Sequence, residues 1–128
     1  MMTALLLPRI AVASVWIYQG LWCKVLAHAP RHREIAEATA FLTPSQAHKA
    51  IVATGILECF IAGWVLSGIG SREAAVVETL LLALMNTAAL SRARNLIPDP
   101  AGMLIQNSAF LMLAWIGAGQ LDCHAAGI

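Results

Sequence analysis

Apolar positions along the chain fall in long runs, and the polar residues that interrupt them are sparse and spaced at helical intervals. The first run extends from about Ile10 to Ala27, between Pro8-Arg9 and Ala29-Pro30. Its 18 residues reach about 27 Å at ~1.5 Å per residue, enough for a hydrocarbon core. A second run, about Ala47 to Gly68, is preceded by Thr43-Pro44-Ser45-Gln46, a capping-box pattern with proline at the first helical position. Ser71 is the expected cap of a third run, about Ala74 to Leu90, and Asp99-Pro100 that of a fourth, about Met103 to Leu121. The short connection Gly68 to Glu73 makes runs two and three an antiparallel hairpin. Without period-2 alternation a β-barrel is excluded, so helices are what the pattern predicts. Between Pro30 and Pro44, Ile35, Ala38, Phe41 and Leu42 interrupt a charged stretch at helical spacing, which predicts a short amphipathic helix at the membrane interface.

The fold class expected is therefore all-α: an integral membrane four-helix bundle in a single domain, with four transmembrane helices and one interfacial helix between spans one and two. Composition agrees. The apolar share is 59% and the charged share 12%, with a mean hydropathy of +0.73, against about 45–50% and about 25% in soluble domains. Lipid is the partner that resolves so much apolar surface in so short a chain. A net charge of +1 leaves no basic surface for nucleic acid. Arg9 and Arg72 flank the side of the termini, while Lys24, Arg31, Arg33, Lys49, Arg92 and Arg94 flank the other. The positive-inside rule then predicts that both termini lie outside the cytoplasm. No positive charge precedes the apolar Ala4 to Leu7, so the first helix is expected to remain attached.

Small residues recur at four-residue steps on span two (Gly55, Cys59, Gly63, Ser67) and span three (Ala75, Thr79, Ala83, Thr87, Ser91), which points to close contact between those two helices. Cys23, Cys59 and Cys123 form no C-x-x-C pair, and Cys59 reads as one small residue of its stripe. The spacing of His28 and His32 would suit a metal on a helix, but Pro30 intervenes and no further ligand completes a site, so surface histidines are expected. Cys123-His124 reads as a terminal tail, and no metal is expected.

The chemistry-bearing residues are those inside the membrane, where an ionisable group costs about 2.5–3.5 kcal/mol and seeks a partner in the bundle interior. Glu58 falls at the centre of span two, level with Tyr18 and Gln19 on span one. Lys24, Asn86, Gln106 and Asn107 lie about 6–8 Å toward the Arg-rich loops, and Glu78 about 6 Å the opposite way. One reading makes Glu58 and Glu78 proton-exchanging carboxylates, with Gln19, Lys24, Asn86 and Asn107 binding a carbonyl or anionic group. A quinone suits such a site, since it needs an apolar slot, donors at its oxygens and a proton source. The other reading pairs Glu58 with Lys24 or Gln19, and Asn86 with Asn107, as interhelical glue alone.

Tyr18-Gln19-Gly20-Leu21-Trp22-Cys23-Lys24, then Gly55-Ile56-Leu57-Glu58, then Asn95 to Asn107 with Pro98 and Pro100 resemble the DoxX-like family of small four-helix bacterial membrane proteins, over about residues 9 to 120. The resemblance implies a membrane subunit linked to redox chemistry: the family includes subunits of a thiosulfate:quinone oxidoreductase, and relatives accompany other oxidoreductases. It carries over to Lys24, Glu58 and Asn107 by position, although the chain lacks a cysteine pair for a thiol relay. The function expected is a quinone-linked or accessory subunit of a membrane redox assembly, with protein partners in a membrane complex or a homo-oligomer. The rival from another class is a structural or assembly subunit that docks larger partners. A small multidrug exporter ranks below both, because span one carries Lys24 and no acid.

Overall fold

A computed structural model describes residues 2–26, 28 and 30–119, with side chains from Leu5 onward; Cys123 and His124 lie outside the described residues. Among these residues the fold is entirely helical. It comprises α1 (Met2–Ile17), a π-helical continuation (Tyr18–Val25), α2 (Pro30–Ala40), α3 (Pro44–Ser67), α4 (Ser71–Arg92), a 3₁₀ turn (Arg94–Leu96) and α5 (Pro100–Gly117). Three stretches are long and apolar enough to cross a membrane: Leu5–Val25, Pro44–Ser67 and Ser71–Arg92. The expected fourth span, α5, is 18 residues long with Gln106 and Asn107 in its middle, and is not among those three.

Two of the expected helix starts form as the sequence dictates. The Thr43 hydroxyl accepts from the Gln46 amide while the Gln46 side chain accepts from the Thr43 amide, closing the capping box ahead of Pro44. The Asp99 carboxylate accepts from the Gly102 amide, with Pro100 at the first turn. Two other boundaries differ from expectation. The first helix does not wait for Ile10 but begins at Met2 and runs through Pro8. A proline in the second turn removes one backbone bond, and unwinding the apolar Leu5-Leu6-Leu7 would forfeit several more. At the α3–α4 turn, Ser71 is the first residue of α4 rather than its cap. The capping position belongs to Gly70 in the left-handed region, and the Ser71 hydroxyl donates back to the Gly68 carbonyl. Gly68 and Gly70, with φ of 71° and 56°, supply the two positive dihedrals this tight turn requires.

The π-helical stretch Tyr18–Val25, closed by the Leu26 amide donating to the Leu21 carbonyl at 2.8 Å, was not signalled by the pattern. Its effect is geometric. Val12, Trp16, Gly20 and Lys24 stand at strict four-residue steps and all are buried. On a helix of 3.6 residues per turn such a row drifts by about 40° per step. The wider i→i+5 turn offsets that drift and keeps Gly20 and Lys24 on the face begun by Val12 and Trp16.

The core is built from Val12, Ala13 and Trp16 of α1, Ile61, Ala62 and Val65 of α3, Ala74 of α4 and Ala114 of α5, with Phe110 meeting Trp16 edge-on at 5.5 Å. α1 packs on both α3 and α5, and α4 on α5. The small-residue stripes do not join α3 to α4 as expected. Gly55 faces Gly20, so closely that a Cβ on either would stand 2.5 Å from the other's carbonyl oxygen. Gly63 has nothing within 4 Å, and Ala83, Thr87 and Ser91 are exposed. The stripe on α3 serves the first helix because the hairpin partner α4 turns its buried Ala74, Ala75 and Glu78 inward toward α1 and α5. Large apolar side chains such as Leu7, Phe60, Leu84 and Ile105 are 69–74% exposed, a surface that suits lipid.

Gly20→Leu and Gly55→Leu should each lower stability by about 1–3 kcal/mol through overpacking against backbone, whereas Gly63→Ala should leave the melting temperature in detergent unchanged. Thermal melting followed by circular dichroism checks the contrast.

Candidate functional site

A partly open cavity of about 660 Å³ lies among the helices. Val15, Trp16, Leu82, Met85 and Phe110 form much of its apolar wall, and α2 closes one end with His32, Ile35, Ala36 and Thr39. Among the expected site residues the structure brings Gln19, Lys24, Glu58, Asn86 and Asn107 to this cavity, together with Gln106. Tyr18, placed in the same layer by counting along the helix, instead points outward and is 55% exposed.

Two polar pairs cross the site. The Lys24 ammonium donates to Glu58 Oε2 at 2.9 Å, with both side chains almost wholly buried. It also makes a long contact to the Gln19 carbonyl at 3.5 Å. Asn107 Nδ2 donates to Asn86 Oδ1 at 2.9 Å, which leaves the Asn86 amide N–H₂ and the Asn107 carbonyl oxygen able to bond a ligand. The pairings considered as interhelical glue therefore exist, and the same residues line a cavity.

Glu78 is apart from this group. Its Oε1 accepts from Trp16 Nε1 at 2.6 Å, and it borders a separate void of about 10 Å³, room for one water, beside Arg9 and Ser71. Arg9 closes that end of the molecule by donating from Nε to the Gly117 carbonyl at 3.0 Å, capping α5. Trp16 joins the two regions, since its ring lines the large cavity and its N–H is spent on Glu78.

His32 is the site residue that sequence reasoning missed. Expected on the surface, it is half-buried on α2 and lines the cavity, and its Nδ1 is shut from solvent without a hydrogen-bond partner among the described residues. Burial, then the charges of Lys24 and Arg31, lower its pKa from 6.5 to about 4, so the ring is neutral at pH 7. The available signal was amphipathic: His32, Ile35, Ala36 and Thr39 share one face of α2, the face turned to the cavity. His28, expected at the surface, is exposed and stacks on Trp22 at 4.0 Å. Among the described residues no three His, Cys, Asp or Glu side chains gather as a metal site, and Cys23 and Cys59 are free thiols.

Membrane-competent helices around a partly open, largely apolar cavity crossed by two polar pairs define a membrane protein, helical throughout its described residues, with a small-molecule-sized pocket. The DoxX-like family matches the chain over residues 13–115, and the chain belongs to that family. No curated protein and no solved structure matches it.

Lys24→Met leaves Glu58 buried without its cation and should cost about 3–5 kcal/mol, most of it recovered in the double variant Lys24→Met/Glu58→Leu; thermal melting of the three proteins decides. For His32 the folded pKa lies below the unfolded one, so its contribution is complete above pH 6.5 and is lost as pH falls from about 6.5 to about 4. His32→Gln should flatten the pH dependence of stability across that window.

Proposed function

We propose that this DoxX-like protein is a quinone-linked subunit of a redox assembly in the bacterial inner membrane, with α5 as its fourth span and both termini periplasmic. The observation that carries the reading is the convergence of Lys24, Glu58, Asn86 and Asn107 on one 660 Å³ cavity walled by apolar side chains. A ring of quinone size falls within the range of such pockets, about 300–1,000 Å³. The donor set fits carbonyl oxygens: the free Asn86 N–H₂ and the amides of Gln19 and Gln106 border the cavity, and Trp16 and Phe110 offer aromatic faces. When bound, a quinone supplies two-electron and two-proton redox chemistry. The chain's own contribution is to bind and orient the ring and, at Glu58, to hold or release a proton within reach of Lys24. Glu78, bonded to the far side of Trp16, orients that indole.

A second reading, that of a structural subunit docking larger partners or further copies of itself, is favoured by the mutual satisfaction of Lys24 with Glu58 and of Asn107 with Asn86. Glu58→Gln separates the two. Under the first reading quinone-dependent turnover per assembled complex falls by at least about a hundredfold; under the second, turnover per assembled complex is unchanged. Native mass spectrometry on gently extracted protein should show a quinone retained on the chain, and Asn86→Leu should strip it. Protein partners without a quinone would count for the structural subunit.

A further inference from the structure

The two oxygens of Glu58 are not used alike. Oε2 accepts from the Lys24 ammonium at 2.9 Å, whereas Oε1 bonds no described residue. The side chain is only 1% exposed, yet Oε1 is not sealed: among the described residues the one unpartnered side-chain polar atom shut from a water-sized atom is His32 Nδ1. Glu58 borders the 660 Å³ cavity, so the access that Oε1 keeps is from that cavity. A buried carboxylate oxygen without a donor costs stability that an O–H of a ligand would restore. An ammonium donates and accepts nothing, and its bond at 2.9 Å is that of an ionised carboxylate, so Oε1 is an acceptor only.

We infer that Glu58 Oε1 is the atom by which the cavity selects the redox form of its ligand: it accepts from a ring hydroxyl, and Lys24, by occupying Oε2, fixes which oxygen does so. This rests on the quinone-linked reading and adds to it the residue that discriminates and the form preferred, the quinol. The free Asn86 N–H₂ serves either form, since a hydroxyl and a carbonyl oxygen both accept from it. At Glu58 the forms differ. A quinol brings a proton to Oε1, whereas a quinone sets a second lone-pair oxygen against it. The same arrangement dictates the effect of Glu58→Gln. Lys24 still requires an acceptor, so the amide oxygen is drawn to the ammonium and the amide N–H₂ takes the place of Oε1. A donor then stands where an acceptor stood, and the preference turns to the quinone.

The test is calorimetric titration of the full chain in nanodiscs, against empty nanodiscs, with 2,3-dimethoxy-5-methyl-1,4-hydroquinone under argon and separately with the matching quinone. The wild type should bind the quinol about tenfold more tightly than the quinone, ~1.4 kcal/mol. Glu58→Gln should reverse the order, raising the quinol Kd by about tenfold and lowering the quinone Kd by about threefold. The double variant Lys24→Met/Glu58→Leu, which removes acceptor and cation together, should bring the two Kd values within about threefold of each other, and it carries the test if circular dichroism shows that Glu58→Gln loses its helices. A wild type that binds both forms equally or prefers the quinone, or either variant keeping the full quinol preference, overturns the role of Glu58 Oε1 and leaves the cavity reading standing. A wild-type protein that binds neither form overturns the cavity reading and this inference with it.

Discussion

The contact on which the rest of this structure depends is the ion pair between Lys24 and Glu58. Two charges placed in an apolar interior are tolerable only when each meets the other at good geometry, and here they meet at 2.9 Å with almost no exposure. That requirement fixes the register of the first helix against α3. It also explains why the two backbones must come so near. Gly20 and Gly55 lie against each other with no space for a Cβ on either side, one turn from the paired charges, and Gly55 also abuts the Lys24 stem. The π-helical stretch belongs to the same solution, because it keeps Gly20 and Lys24 on the buried face that Val12 and Trp16 begin.

From that anchored pair the cavity follows. α1 takes α3 on one side and α5 on the other, while α4 leans chiefly on α5 rather than on its hairpin partner. A hairpin whose two helices do not pack along their length leaves space between them. At the end of the termini, Arg9 binds the α5 carboxy-terminal carbonyl and reaches the α3–α4 turn at Ser71, so that end is drawn shut. At the other end Arg92 holds α2 over the opening. The open volume therefore collects in the half of the bundle nearer α2, where Lys24, Asn86 and Asn107 reside.

The helices and most of the cavity residues were legible in the sequence, because in hydrocarbon the apolar run, the capping box at Thr43 and the Asp99-Pro100 start are strong and local. Helical counting brought Lys24, Asn86 and Asn107 to one level, and all three line the cavity. What stayed hidden depends on partners far along the chain. The π-helical turn keeps Gly20 against Gly55, a long-range contact that no window around residue 20 contains. Strict four-residue steps identified Gly55 as a packing residue yet could not say whether it faced α4 or the first helix. Pro8, a boundary signal in water, lies inside α1 because unwinding an apolar turn in hydrocarbon costs more than one lost bond. His32 read as surface because α2 was placed flat on the interface, whereas the fold turns one of its faces to the cavity.

Of the two buried carboxylates, the fold gives one to the cavity and withholds the other. Glu78 and Glu58 are both 1% exposed, but Glu58 borders the large cavity directly and Glu78 does not. Between Glu78 and that space stands Trp16, whose indole N–H is bonded to the carboxylate and whose ring forms part of the wall. An indole donates through a single N–H and accepts nothing through it, so it relays no proton from Glu78 to a ligand. The short hydrogen bond from Glu78 fixes the indole plane, and that plane, braced edge-on by Phe110, forms part of the cavity wall. Two carboxylates that sequence alone assigned to the same task are thus divided in place, Glu58 bordering the cavity and Glu78 bonded behind the indole that walls it.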